Sequence, residues 1–344
     1  MTKPKLVSLF SGCGGLDLGF QMAGYSLVWA NDINHDACET YAHNLGAHIE
    51  VGDISEIDLS RIPVGDAVVG GFPCQDFSMI WKRGGINTDR GNLYRYLVKL
   101  VELQRPKVFV AENVKGLLTA NKGEAVERIK SDFLDRGYEV DVGLYNFADF
   151  GVPQLRERVL IVGVRGDIEW RYSRPPATHT RDNYVSAGAA LKGVEKVPYN
   201  NDHQKLAAKT VEMLKLIPEG GNFADIPSDH PLHVRGMISH VYRRLHRDQP
   251  SKTLIAAGGG GTWGYHYSEP RSLTNRERAR LFGYPDDFVF LGTPTEVRRQ
   301  IGNSVPPPAA AVIAKALLPA FTAPIRTGQS EALEQPSVRL TETA

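Results

Sequence analysis

Residues 6–15 read Leu6-Val7-Ser8-Leu9-Phe10-Ser11-Gly12-Cys13-Gly14-Gly15. The apolar run 6–10 has the length of a buried strand, and the glycines after it mark a strand-to-helix turn. Such a turn lets backbone amides approach a ligand closely, and the helix amino terminus behind it attracts negative charge. The dinucleotide spacing GxGxxG is not met. Beyond the turn the alternation repeats. Apolar runs at 27–30, 67–69, 108–111 and 159–164 are separated by helical patterns at 16–23, 35–45, 92–104 and 124–136. Short apolar runs alternating with amphipathic stretches predict an α/β fold, a doubly wound, mostly parallel sheet covered on both faces.

Chemistry in such a sheet collects beyond the carboxyl ends of the strands. Asp32 follows the second run at the offset where a carboxylate accepts hydrogen bonds from ribose hydroxyls, with a helix cap as the structural alternative. Asp53, in Val51-Gly52-Asp53-Ile54, is placed to bond an amino group or to shape a turn. Cys74, in Gly70-Gly71-Phe72-Pro73-Cys74-Gln75, projects from a loop at a strand end, a poor setting for a structural thiol. Glu112 closes the run 108–111. A carboxyl there is poorly solvated, so its pKa rises and it can donate a proton. A thiolate beside a carboxylic acid suits attack on an electron-poor ring. In an extended Pro153-Gln154-Leu155-Arg156-Glu157-Arg158, Arg156 and Arg158 point to one face and can bind a carbonyl or phosphate. Solvated arginines are the alternative.

The remaining sequence sets bounds. Forty Lys and Arg against 39 Asp and Glu leave a net charge of +1, so any basic surface is local. The three cysteines lack zinc or disulfide spacing, the histidines are irregularly spaced, and no metal is expected. No apolar run approaches a membrane span or signal core, which leads to the expectation of a cytoplasmic protein without a membrane partner. Texture divides the chain into 1–168, a smaller loop-rich unit at 169–298, a helix at 299–320 that returns to the first unit, and a disordered tail at 321–344. Thr274 and Glu277 form a capping-box pattern at the start of a helix.

The motifs, taken in order, resemble those of the DNA (cytosine-5) methyltransferases of bacterial restriction-modification systems. FSGCGG (10–15), ND (31–32), GDI (52–54), GFPCQDFS (71–78), ENV (112–114) and QLRER (154–158) are followed by RRLHRDQPSKTL (243–254) and QIGNSVPP (300–307). The resemblance covers 6–318 and implies a Rossmann-like, S-adenosylmethionine-dependent methyltransferase fold with a small DNA-recognition domain. It implies that Cys74 attacks C6 of a flipped cytosine, Glu112 bonds N3 and the exocyclic amine, Arg158 holds O2, Asn113 supports the pocket, and Arg156 belongs to the same catalytic set. S-adenosyl-L-methionine would be lined by Phe10, Ser11, Gly12, Gly14, Gly15, Asp32, Ile33, Asp53, Ile54, Pro73, Leu93, Asn303 and Val305.

The implied partners are double-stranded DNA and a cognate restriction endonuclease acting on the same site, with the enzyme itself a monomer. The segment 171–240, with Arg171, Arg174, His179, Arg181, Asn183, His203, His230, His233 and Arg235, is the expected target-recognition region. The stretch 78–90 suits a loop that closes over DNA. Two departures stand out: Asp32 replaces the more usual glutamate, and Phe282 replaces a glutamine. A tRNA cytosine-5 methyltransferase is the alternative on the same fold, although no cysteine follows Cys74 to form that subfamily's Cys-Phe-Thr signature. A noncatalytic DNA-binding relative is a further alternative.

Overall fold

Strand β1 (Lys5–Leu9) is buried over four of its five residues, and a computed structural model, which describes residues 2–73, 93–233, 241–256 and 264–326, shows why. It lies inside a seven-stranded sheet. In chain order the elements are α1 (Gly15–Met22), β2 (Ser26–Asp32), α2 (His35–Leu45), β3 (Ile49–Val51), β4 (Ala67–Gly70), α3 (Tyr94–Gln104), β5 (Val108–Val114), α4 (Glu124–Leu134), β6 (Tyr138–Asn146), β7 (Gln154–Leu155) and β8 (Glu157–Arg165). The spatial order is β3-β2-β1-β4-β5-β8-β6. The first five run parallel, and β8 is antiparallel to both β5 and β6. The winding direction reverses between β1 and β4, which opens a crevice at their carboxyl ends.

Both faces of the sheet are covered, so its central strands read as continuous apolar runs. Leu6, Val69 and Val110 pack with Phe20 of α1 on one face, while Val7, Val68 and Phe109 pack with Leu97 and Phe133 on the other. The apolar runs thus located five strands. Strand β6 escaped them because Glu139 and Asp141 alternate with Tyr138, Val140 and Val142, of which only Tyr138 is fully buried, as suits a sheet edge.

Beyond β8 the chain crosses that edge. Arg174 binds Asp141 with two hydrogen bonds (2.8 and 2.9 Å) and also donates to the Val142 carbonyl, while Arg171 pairs with Glu139. There follow α5 (Ala187–Leu191), α6 (Ala208–Leu216), β9 (Ser251–Lys252), which pairs with β7, then α7 (Asn275–Leu281), α8 (Pro294–Asn303) and α9 (Pro307–Leu317). The Thr274–Glu277 capping box forms as the sequence predicts. Met213, Leu214, Ile217, Ile226 and Tyr265 make a small core of their own. A larger cluster joins Cys13, Tyr41 and Leu45 to Leu191, Leu245, Phe282, Phe290 and Ile301, so both halves of the chain share packing next to the glycine turn.

Buried arginines fasten this irregular backbone. Arg276 donates to the carbonyls of Tyr199, Pro285 and Phe288, and Arg244 to those of Leu214, Ile217, His266 and Tyr267. Carbonyls outside a sheet or helix need such donors, and a guanidinium serves several at once.

Helix α9 returns to the first face of the sheet, where Ile313 and Leu317 are buried and Tyr25 donates to the Ala314 carbonyl at 3.1 Å. Each such side chain stabilises the docking by about 1.5–3 kcal/mol. Two expectations are corrected here. By length and composition the stretch Pro294–Phe321 could cross a membrane. It is nevertheless two helices parted by an extended Ser304, and α9 packs into the core. Nor is the chain disordered from 321. Ile325 bridges antiparallel to Ile168, and the Arg326 backbone amide donates to the Asp167 carbonyl, because the sheet edge offers partners that composition does not reveal. Residues 327–344 lie outside the described residues.

Candidate active site

The crevice is a cleft of about 890 Å³. Phe10, which lines it, adopts φ +55°, unusual for a non-glycine residue. Gly14 caps α1 at φ +90°, and a side chain there would collide with Tyr41 and Leu45. It therefore faces α2 and not the cleft, unlike Phe10, Ser11, Gly12, Gly15, Ile33, Ile54, Pro73, Leu93, Asn303 and Val305, which all line it. Asp32 also lines the cleft, and its carboxylate accepts the Gly12 amide at 2.8 Å and the Asn34 amide at 2.9 Å. Burial raises its pKa and these amides oppose the rise. It does not cap α2. Asn34 does, accepting from Ala37 at 2.8 Å. Asp53 likewise lines the cleft, and caps the short turn Ile54–Glu56 through Ser55.

Sequence reading missed Arg299, Gln300 and Ser304 on this wall. Helical spacing was the available signal for two of them: Arg299 and Gln300 precede Asn303 by four and three positions, and so share its face of α8.

At the far end of the cleft, register brings Glu112 and Arg158 together. Glu112 lies opposite Leu160 and Val114 opposite Arg158, which makes Glu112 and Arg158 diagonal neighbours on one face. Arg158 Nε sits 3.0 Å from Glu112 Oε1. Burial raises the Glu112 pKa, while the charges of Arg158 and Arg156 oppose it. Asn113 donates to the Phe72 carbonyl at 2.9 Å and so holds the segment that leads to Cys74. Gly71 leaves Glu112 room, since a Cβ there would lie 3.2 Å from Oε2. Cys74 itself and the stretch 78–90 lie outside the described residues. The other two thiols are buried, and burial pushes Cys13 and Cys38 each up to about 12. Neither is a ready nucleophile at neutral pH.

Arg158 also lines a second cleft of about 490 Å³, with Lys115, Asn146, Leu155, Glu157 and Thr253. Lys115 and Glu157 form an exposed ion pair across it at 2.9 Å.

Arg156 departs from expectation. The chain breaks between β7 and β8 at this residue, so the period of two is interrupted and the two arginines part. Arg156 is 1% exposed, lines neither cleft, and donates to the carbonyls of Leu254, Gly302 and Ser304. Several polar residues of the expected recognition segment also have partners within the chain. Arg171 and Arg174 hold the β6 edge, His179 Nδ1 contacts Thr178, Asn183 accepts from the Thr180 amide, and His233 contacts the Ile226 carbonyl. His230 accepts from the Leu232 amide, whereas Arg181 and His203 are exposed. Arg235 and His240 lie outside the described residues.

Beneath the glycine turn, Ser8 donates to the fully buried Asp17 at 2.7 Å, and Ser11 donates to Ser8 at 3.0 Å. Burial pushes Asp17 up to about 6, against the Ser8 and Tyr41 hydroxyls. A carboxyl raised above its unfolded value favours the folded state while protonated, and that contribution is lost as pH rises from about 4 towards 6. Denaturant titrations of Asp17→Asn should therefore show a flatter dependence across that window and a gain of about 1–3 kcal/mol at pH 8. Equal pH slopes in variant and parent would refute this account.

The family described as C-5 cytosine-specific DNA methylase matches residues 4–318. A Type II methyltransferase, M.NgoFVII of Neisseria gonorrhoeae, is 60% identical over 93% of this chain and 88% of its own length. M.BbvI of Brevibacillus brevis, another Type II methyltransferase, is 41% identical over 91% of this chain and 90% of its own. The solved S. pombe Dnmt2 methyltransferase shares the fold at a TM-score of 0.63 and 19% identity, over 92% of this chain and 99% of its own. With the glycine turn, the Glu112–Arg158 pair and the returning α9 all inside the matched span, this chain belongs to the C-5 cytosine-specific DNA methylase family.

Proposed function

We infer that this chain methylates C5 of a cytosine extruded from double-stranded DNA, with Cys74 as nucleophile and Glu112, Arg158 and Asn113 around the base. The enzyme class is DNA (cytosine-5-)-methyltransferase, of the kind found in restriction-modification systems. The observation that carries the residue assignment is the buried Glu112–Arg158 pair at the end of the cleft, beside the segment that leads to Cys74.

Members of this family take their methyl group from S-adenosylmethionine, and the cleft suits it. At about 890 Å³ it has the size of a small-molecule site, and a side-chain atom at Gly12 would meet nothing within 4 Å, which leaves the turn open to a ligand. Phe10, Ile33, Ile54 and Leu93 offer apolar contacts, Asp32 and Asp53 accept hydrogen bonds, and Asn303 and Val305 close the other wall. When bound, the cofactor supplies an electrophilic methyl group on a sulfonium.

Extruding the base costs on the order of a few kcal/mol. Cys74, as thiolate, adds to C6, and the C5–C6 π pair makes C5 nucleophilic. Glu112 in its acid form hydrogen-bonds N3 as charge builds on the ring, while Arg158 holds O2. After C5 is methylated, its proton leaves to solvent, the electron pair returns to the ring and the Cys74 thiolate departs.

Target recognition falls to residues 169–298. The enzyme works as a cytoplasmic monomer alongside a restriction endonuclease of the same specificity, and no metal takes part. Duplex DNA incubated with methyl-labelled cofactor should yield 5-methylcytosine on nucleoside mass spectrometry, and bisulfite sequencing should place it at one motif. Label confined to tRNA, or recovered as N4-methylcytosine, would refute the reading.

A further inference from the structure

Arg156 joins three segments that are distant in sequence. It occupies the corner between β7 and β8. Its Nη2 donates to the Gly302 carbonyl at 2.8 Å and the Ser304 carbonyl at 3.1 Å, and Nη1 to the Leu254 carbonyl at 3.4 Å. The Phe282 ring lies 4.8 Å from the guanidinium carbon, so the residue that departs from the family's glutamine supplies the platform for this cation. Gly302 lets the segments close up, since a Cβ there would stand 2.3 Å from Ala256 Cα.

The carbonyls at the end of α8 have no partners within the helix, and a planar fork of donors can take two of them at once. Asn303 sits between the two anchored carbonyls and lines the large cleft. Burial and the neighbouring Arg158 lower the Arg156 pKa to about 9, so it is still a cation at neutral pH.

We propose that Arg156 is a positioning residue and not a catalytic one: by holding the Gly302 and Ser304 carbonyls against the Leu254 segment, with Phe282 beneath, it sets Asn303 in the cofactor cleft. This rests on reading that cleft as the S-adenosylmethionine site. Arg156→Lys keeps a charge but loses the fork.

Steady-state methylation of duplex DNA should show its KM for S-adenosylmethionine raised about tenfold with kcat within about threefold of the parent. Asn303→Ala should raise the same KM, and the double variant should be no worse than the poorer single, because both act through one route. Phe282→Leu, which retains the arginine, should move KM in the same direction by about threefold. Should Arg156→Lys fail to fold by thermal melt, Phe282→Leu combined with Asn303→Ala provides the same cycle.

A kcat loss above about a hundredfold at unchanged KM would overturn the proposal, because it would place Arg156 on the substrate. Additive KM effects in the double variant would overturn it equally, since Arg156 would then act elsewhere. Arg158→Lys separates the two levels of inference: if it kept the parental kcat, the reading of the site would fail, whatever Arg156 does.

Discussion

Cys74→Ser should bind duplex DNA and S-adenosylmethionine yet lose turnover by at least about 10³-fold, because a serine hydroxyl is a far poorer nucleophile than a thiolate. The same chemistry offers a way to capture the parent enzyme. In a normal cycle the C5 proton leaves and the carbon–sulfur bond then breaks. Fluorine at C5 cannot leave as a cation. DNA carrying 5-fluorocytosine at the target should therefore hold the parent enzyme as a methylated adduct that survives a denaturing gel, and Cys74→Ser should give none. The buried thiols at Cys13 and Cys38, both pushed up to about 12, make them poor substitutes. An adduct mapped to either, or one equally abundant in Cys74→Ser, would overturn the assignment.

The second large effect should come from Glu112→Gln. The amide still accepts from Arg158 but has no acidic proton to give N3, and a general acid contributes roughly 10²–10⁴ in rate. The pH dependence has a definite sign. Burial raises the Glu112 pKa, so the acid form persists to higher pH than for an exposed carboxyl, and kcat/KM should fall as pH rises through that raised value. In Glu112→Gln that limb should disappear, leaving a low rate that is flat over the same range. A variant that retains the parental limb would assign the titration to another group. One that retains the parental rate would remove Glu112 from the chemistry altogether.

Sequence by itself determined the βαβ order, the edge of the sheet that carries the chemistry, and the strand ends at which Phe10, Asp32, Glu112 and Arg158 stand. These are short-range matters. A glycine turn, an apolar run or a cap is decided within a few residues, and the strand ends follow from them. Tertiary structure decided what the polar groups do once there. Arg156, Arg171 and Arg174 all read as cations available to a ligand, yet each is spent on the protein's own carbonyls or carboxylates. Two residues of separation were expected to put Arg156 and Arg158 on one face, and a two-residue strand, β7, paired with distant β9, broke that period. The partners that claim these arginines lie up to 148 residues away, as with Ser304 for Arg156. No local pattern encodes them, because an unpaired buried carbonyl arises only when remote segments have already packed.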